Sequence, residues 1–570
     1  MRSKERIQRA LVLILVLCFG SVSSPAQRPL KYSKAEPIWL DFDMGSIPEP
    51  ADYDTGYLYD FVNGTIFQQV KQAFDFSRGF RKLAGKPQEA YNVNVLDEVP
   101  DSSWFTNRNG RRRLSLGEIK RGPNQTDGPA DGPLTVIRGK TAGITPGFWV
   151  RDRLGDIYIL KFDPPDYPEL ASAAEVISTK LLYAIGYNVP QNTIFRFRRE
   201  QLRLDPKAST KDHLGNKRAM TGADLDDILC RAARQADGQY RCLASKLLKG
   251  KPKGGFHFLG VRKDDPNDII PHEHRRELRG LRVFCAWLEH NDIRAGNTLD
   301  MYVEEGGRHF LRHYLIDLGS TLGSDTAFPN APIVGHEYQL DGGEAIRALF
   351  SLGIYEQPWL RRERKLLYPS VGFYSAEGFD PPRWKQNFPL LAFENMTERD
   401  GYWAAKIVGS FTDEQIAAAV EAGELSDPAA ARYLTEQLIQ RRDKITRYYY
   451  RRRAAMDRFQ VEKQQFGFVL RFDDLRAEVA RGNEEIPSLY EYDLRAVSGS
   501  NKLLDRGTLS STEFRLSPAL LARMSECRGA EADCGVAQLT LRRRGESKAV
   551  RVYLYYDTEK AALRIIGLET

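Results

Sequence analysis

The chain has 570 residues, of which 42% are hydrophobic and 11% aromatic, with a formal net charge of +7. That apolar content supports sizeable buried cores, and the length corresponds to roughly two to four domains. So small a positive balance on so long a chain excludes a nucleic-acid binder that works through bulk charge.

At the N-terminus Arg2, Lys4, Arg6 and Arg9 precede the apolar run from Ala10 to Gly20, and "SVSSPAQ" follows with Ser24 and Ala26 spaced for cleavage. This is the layout of an export signal over residues 1–26. Its removal takes away four basic and one acidic side chain, so the charge falls from +7 to +4. The apolar run is short for a spanning helix, and no later segment has the roughly 18 uninterrupted apolar residues that spanning requires. The expectation is an exported protein, periplasmic or extracellular, with no transmembrane span after cleavage and an uncleaved anchor as the lesser alternative. Cys18 follows Val16 and Leu17 rather than small residues, which argues against a lipid anchor. Of the five remaining cysteines, Cys230 with Cys242 and Cys527 with Cys534 can each close a short loop in an oxidising compartment, leaving Cys285 in an apolar helix; five unrelated thiols are the other reading.

Residues 27–130 form an N-terminal extension with one helix expected at "NGTIFQQVKQAFDFSRGFRKLAG" and a boundary at the Gly, Pro and Asp cluster near its end. Within it, "DSSWFTNRNGRRR" is a solvated loop by default or the lining of a substrate groove. Residues 131–200 change texture. "LTVIRGK", "FWVRD" and "IYILKF" read as strands, "ELASAAEVISTKLLYAIGYNVP" as a helix and "NTIFRFR" as a further strand, so a small antiparallel sheet with one packed helix is expected. Residues 201–270 read as a polar insertion. The segment 271–464 is mainly helical: "HRRELRGLRVFCAWLEH" places Leu278, Leu281, Phe284, Cys285 and Leu288 along one face, Thr412 and Gln415 have capping-box spacing, and Asp427 precedes Pro428. His272 and His274 lack the spacing of a metal site and are expected at a helix start. Residues 465–570 form a β-rich module whose hairpin pairs "VRVYLYY" with "ALRIIGL".

In "HNDIRAGN" Asp292 is followed five residues later by Asn297, and "HYLIDLGSTLG" delivers Asp317 at the end of a strand. Phosphoryl transfer from ATP needs one carboxylate to orient the attacking hydroxyl and oxygen ligands for magnesium. Magnesium takes hard oxygen donors and few carboxylates, so an amide with one carboxylate suits it. Upstream, Lys161 ends the strand "IYILKF", and Glu175 in the next helix can pair with its ammonium; Glu169 is the weaker partner. Between the first two strands "GKTAGITPGF" places Gly139, Gly143 and Gly147 where backbone amides can approach phosphates, without G-x-G-x-x-G spacing.

These residues resemble the protein-kinase-like superfamily over about 134–455. "HND" with Asn297 is similar to the H-R-D loop with its asparagine, "DLG" to D-F-G, and Lys161 with Glu175 to the strand lysine and helix glutamate. The resemblance implies an α+β, two-lobed core: a small antiparallel sheet plus helix, and a larger, mainly helical lobe. It also implies ATP and Mg2+ as cofactors, Asp292 as catalytic base, Asn297 and Asp317 on the metal, and His290 packed beneath the loop. Asn291 in place of arginine, the missing A-P-E and the twenty-residue interval from Asn297 to Asp317 bring it nearer to atypical and secretory kinases, including the spore-coat kinases and the phosphatidylinositol-kinase branch. The expected partners are a nucleotide and an unknown hydroxyl-bearing acceptor on a protein, lipid or sugar. The alternative is a non-catalytic pseudokinase or binding module at the cell envelope.

Overall fold

A computed structural model describes residues 30–53, 81, 84, 87–140, 143–212, 214–351, 354–357, 359–360, 364–480, 489–498, 501–526 and 533–570. The export signal and nearly all of the helix expected at 63–85 lie outside the described residues. No described helix is long and apolar enough to cross a membrane.

The architecture is mixed α and β. Strands β1 (Leu134–Gly139), β2 (Gly147–Arg151) and β3 (Ile157–Phe162) are followed by helix α2 (Leu170–Ile185), which comes after the short α1 (Leu116–Arg121), and by β4 (Asn192–Phe197). Next come β5 (Leu202–Lys211), β6 (Lys217–Ala219), α3 (Gly222–Cys230), β7 (Tyr240–Lys246) and β8 (Lys251–Pro252). The first seven strands form one sheet in the order β4-β7-β3-β2-β1-β5-β6. Alternation along β3 sends Tyr158, Leu160 and Phe162 into a core closed by Leu225, Ile228 and Leu229 of α3, and leaves Lys161 on the opposite face.

The segment read as an insertion is therefore in part central: β7 pairs with both β3 and β4. Its burial is nearly continuous rather than alternating, which removes the period-two signal by which a strand is recognised. The same placement separates the first cysteine pair. Cys242 is buried in β7, Cys230 is exposed at the end of α3, and both are free thiols. Alkylation of the native, unreduced protein should label Cys230 and spare Cys242 and Cys285 until the chain unfolds; labelling of none of the three would contradict this. Cys534 is disulfide-bonded, and Cys527 lies outside the described residues.

Helix α4 (Arg276–Leu288) leads to the hairpin β9 (Thr298–Glu305) and β10 (Arg308–Leu315). Helices α5 (Glu398–Gly409), α6 (Asp413–Glu421) and α7 (Pro428–Arg452) complete the largest core. Thr412 with Gln415 caps α6 reciprocally, and Asp427 accepts the Ala429 N–H ahead of Pro428. The extension is built into this core. Val99, Trp104, Phe105, Leu114 and Ile119 are buried in it, Trp104 stacks on His313 at 3.5 Å, and the Arg275 guanidinium lies 4.7 Å over Trp104. The "SSWF" part of the stretch is thus core rather than solvated loop, whereas Asn107, Gly110 and Arg111 further along it line a surface pocket. His272 and His274 form a 3-10 turn before α4, and His272 bonds Asp268 at 2.8 Å.

Beyond α7 the chain forms a three-stranded and a five-stranded sheet, with the expected hairpin as Ala549–Asp557 and Ala562–Glu569. The β structure begins at Met456, before residue 465. The N-terminal segment straps this region: Ser33 N–H donates to the Ile566 carbonyl at 2.9 Å, and Tyr32 stacks on Tyr553 at 5.0 Å.

Candidate active site

Asp163, two residues beyond Lys161, accepts the backbone N–H groups of Ala171 and Ser172 at 2.9 and 2.8 Å. A carboxylate here satisfies the open N-terminus of α2 and complements its dipole, so the start of the helix is tied to the end of β3. Glu175 consequently faces Lys161, whose Nζ donates to its two oxygens at 2.9 and 3.0 Å. The same Nζ donates to Asp317 Oδ1 at 2.8 Å. Glu169, the weaker sequence candidate, instead accepts the Ser426 N–H at 2.9 Å.

Burial pushes the Lys161 pKa down, but Asp317 and Glu175 together outweigh it and raise it above the ordinary lysine value. Lys161 lowers the pKa of Asp317, while burial raises that of Glu175. The ammonium is therefore a fixed, permanent charge held between two carboxylates from different elements.

Asp292 and Asn297 follow the end of α4. The Asn297 amide nitrogen donates to the Asp292 carbonyl at 2.7 Å and to Oδ2 at 2.8 Å, and Arg294 Nε donates to Oδ1 at 3.1 Å. Burial raises the Asp292 pKa against the opposing effects of Arg294 and Asn297. His290 is buried with Nδ1 3.4 Å from the Ser320 carbonyl, and burial lowers its pKa to about 4, so it is neutral near pH 7. Asn291, where kinases of the resembled type carry arginine, is fully buried.

One backbone bond joins the two halves of the constellation: the Ile316 N–H donates to the Asn297 carbonyl at 3.0 Å, tying the segment of Asp317 to the Asp292–Asn297 loop. Asp317 has φ 57°, a left-handed conformation that costs energy outside glycine and concentrates at functional sites. The loop after it is tied on both sides, by Ser178 to Thr321 at 2.7 Å and by the Leu322 N–H to the Leu288 carbonyl at 2.8 Å. The Asp317 charge raises the Asp292 pKa, and Arg294 lowers the pKa of both. Lys161, Glu175, Asp317, Thr145, Gly319 and Thr326 line one small pocket with room for about one water.

The three loop glycines have different surroundings. A Cβ at Gly139 would meet Thr210 Oγ1 at 2.9 Å and one at Gly147 the Leu160 carbonyl at 2.3 Å, so both allow close strand packing. Gly143 has φ +76° in the loop between β1 and β2. The donor set is of the hard-oxygen type. The Asn297 amide nitrogen is engaged by Asp292, which leaves its oxygen for a hard cation, and Asp317 gives one oxygen to Lys161 and keeps a second. Among the described residues no group of three or more His, Cys, Asp or Glu side chains is arranged to hold a metal. Magnesium at a phosphate site is held by few protein ligands, with waters and phosphate oxygens completing its octahedron.

Sequence reasoning missed Asp163 and Arg294. Arg294 was visible inside "HNDIRAGN", but nothing local distinguishes it from a solvated charge; Asp163 required knowledge of where α2 begins in space.

No protein-family model matches the chain, and no curated protein does. Among solved structures it is similar to the Golgi casein kinase crystal structure, at 10% identity and TM-score 0.27 over 73% of this chain and 95% of that one. It is also similar to the Golgi casein kinase with Mn/ADP bound, at 9% identity and TM-score 0.22 over 65% and 96%. Both likenesses are too distant to carry an argument.

Proposed function

We propose that the chain is an exported atypical kinase with a two-lobed, protein-kinase-like core, moving the γ-phosphoryl group of ATP to a hydroxyl on a protein, lipid head group or sugar. The observation that carries this reading is the triad Glu175–Lys161–Asp317, in which a strand lysine is clamped between a helix glutamate and a strand-end aspartate. Lys161 would position the phosphates, and Asp292 would orient the acceptor hydroxyl and take its proton. Arg294 supplies positive charge beside that base. Magnesium, held by Asn297 and Asp317, would neutralise charge on the phosphates. The attacking oxygen bonds to γ-phosphorus as the bridging oxygen leaves with ADP.

Mature protein incubated with γ-labelled ATP and magnesium should transfer label to a member of a mixed set of protein, lipid and sugar acceptors. Asp317→Asn should lower that transfer by about 10²-fold or more, because it loses a full negative charge at the phosphate site. Equal incorporation by wild type and variant would overturn the enzyme reading. If ATP with magnesium raises the melting temperature but no label moves, the chain binds nucleotide without turning it over.

A further inference from the structure

The loop between β1 and β2 was expected to meet phosphates through glycine amides. Its side chains tell a different story. The Lys140 N–H donates to the Gly147 carbonyl at 2.9 Å, and Gly147 stands opposite Lys161 in the β2–β3 register. Residues directly opposite on adjacent strands project to the same face, so Lys140, Gly147 and Lys161 form one cross-strand row. The middle position has no side chain. The Lys140 stem occupies that space: a Cβ at Gly147 would meet Lys140 Cδ at 3.1 Å. Its Nζ then donates to the Thr145 carbonyl at 2.9 Å and to Thr145 Oγ1 at 3.0 Å. Thr145 lines the same cavity as Lys161 and Asp317.

We propose that Lys140 is a second phosphate-binding cation, crossing over Gly147 to hold the polyphosphate of the nucleotide from the covering loop while Lys161 holds it from the sheet. This rests on the kinase reading and adds a named residue to its nucleotide site. Two facts favour a ligand over a purely structural lysine. Among the described residues no carboxylate forms an ion pair with Lys140, whose Nζ donates to one carbonyl and one hydroxyl of its own loop. Burial and the neighbouring Lys161 charge both disfavour its ammonium, against the opposing pull of Asp317 and Glu175, so a polyanion beside it would supply counter-charge that its own loop does not. A lysine that reaches across a glycine also accounts for a phosphate loop without G-x-G-x-x-G spacing.

The test is calorimetric binding of ATP, ADP and AMP, each with magnesium, to wild type, Lys140→Met and Lys140→Arg, with melting curves in the absence of nucleotide as the folding control. Lys140→Met should weaken ATP and ADP binding by about tenfold or more, the scale of one charge-assisted hydrogen bond. AMP binding should be unchanged, and Lys140→Arg should recover most of the ATP affinity. Unchanged ATP affinity in Lys140→Met, or an equal loss for AMP, overturns this inference and leaves the kinase reading standing. Wild-type protein that binds none of the three nucleotides overturns both.

Discussion

Asp292→Asn is expected to lower phosphoryl transfer by about 10²- to 10⁴-fold, the usual contribution of a positioned general base, while nucleotide affinity stays at the wild-type level. The residue is held for that role. Asn297 fixes one carboxylate oxygen at 2.8 Å and Arg294 the other at 3.1 Å, so the group cannot turn away from an acceptor. Burial raises its pKa, which strengthens it as a proton acceptor, and the opposing pull of Arg294 and Asn297 favours its ionised form. An amide of the same shape preserves the packing but accepts no proton. Transfer of label and ATP affinity, measured side by side, separate the two effects. A variant with wild-type transfer would remove Asp292 from the mechanism, and one that also loses ATP binding would show a structural role instead.

The second large effect concerns the scaffold. Asp400→Ala is expected to lower unfolding stability by about 3–5 kcal/mol, the cost of leaving a buried charge without its partner. Asp400 accepts from Arg276 Nε at 3.0 Å and from Arg279 at 3.2 Å, and all three side chains are 0% exposed. It also takes part in the capping box of α5 with Thr397, so one substitution disturbs a helix start and two guanidinium groups. Arg276 reaches Asp97 in the N-terminal extension as well. Burial works against ionisation of Asp97, but Arg276 and Arg399 outweigh it and hold its pKa below the ordinary aspartate value. Its contribution is therefore fully present above the unfolded value of about 4 and is lost as pH falls below it. Urea unfolding of wild type and Asp400→Ala at neutral pH checks the first point; unfolding of wild type and Asp97→Asn at neutral pH and near pH 3 checks the second, where the difference should be largest at neutral pH and shrink in acid. A loss below about 1 kcal/mol at neutral pH, the scale of an exposed pair, would contradict the buried-network account.

That network lay beyond a local reading. Residues 276 to 288 show a clean apolar face, and Leu278, Leu281, Phe284, Cys285 and Leu288 are all buried as their spacing predicts. Arg275, Arg276 and Arg279 are equally buried, although charges on an amphipathic helix ordinarily face water. The carboxylate partners of Arg276 lie far along the chain, 179 residues away for Asp97 and 124 for Asp400. A charge can be recognised as buried only once its partner is known, and periodicity carries no information about partners.

What the sequence determined by itself was local. The alternation in β3 places Lys161 opposite the core, the caps start α6 and α7, and the separate order of lysine, glutamate, aspartate with amide, and strand-end aspartate proposes a phosphate site. The tertiary structure decided which of those residues meet. Asp163 caps α2 and turns Glu175 rather than Glu169 toward Lys161, β7 enters the middle of the sheet, and the backbone bond from Ile316 to Asn297 brings Asp317 beside Asp292. Lys140 is the clearest case: its neighbours in sequence suggest only a turn, whereas the strand register puts it across a glycine from Lys161. Helix caps and strand alternation act over a few residues and leave a signal in the chain. Register, burial of charge and the meeting of distant carboxylates depend on which surfaces pack, and packing is settled only when all the elements are in place.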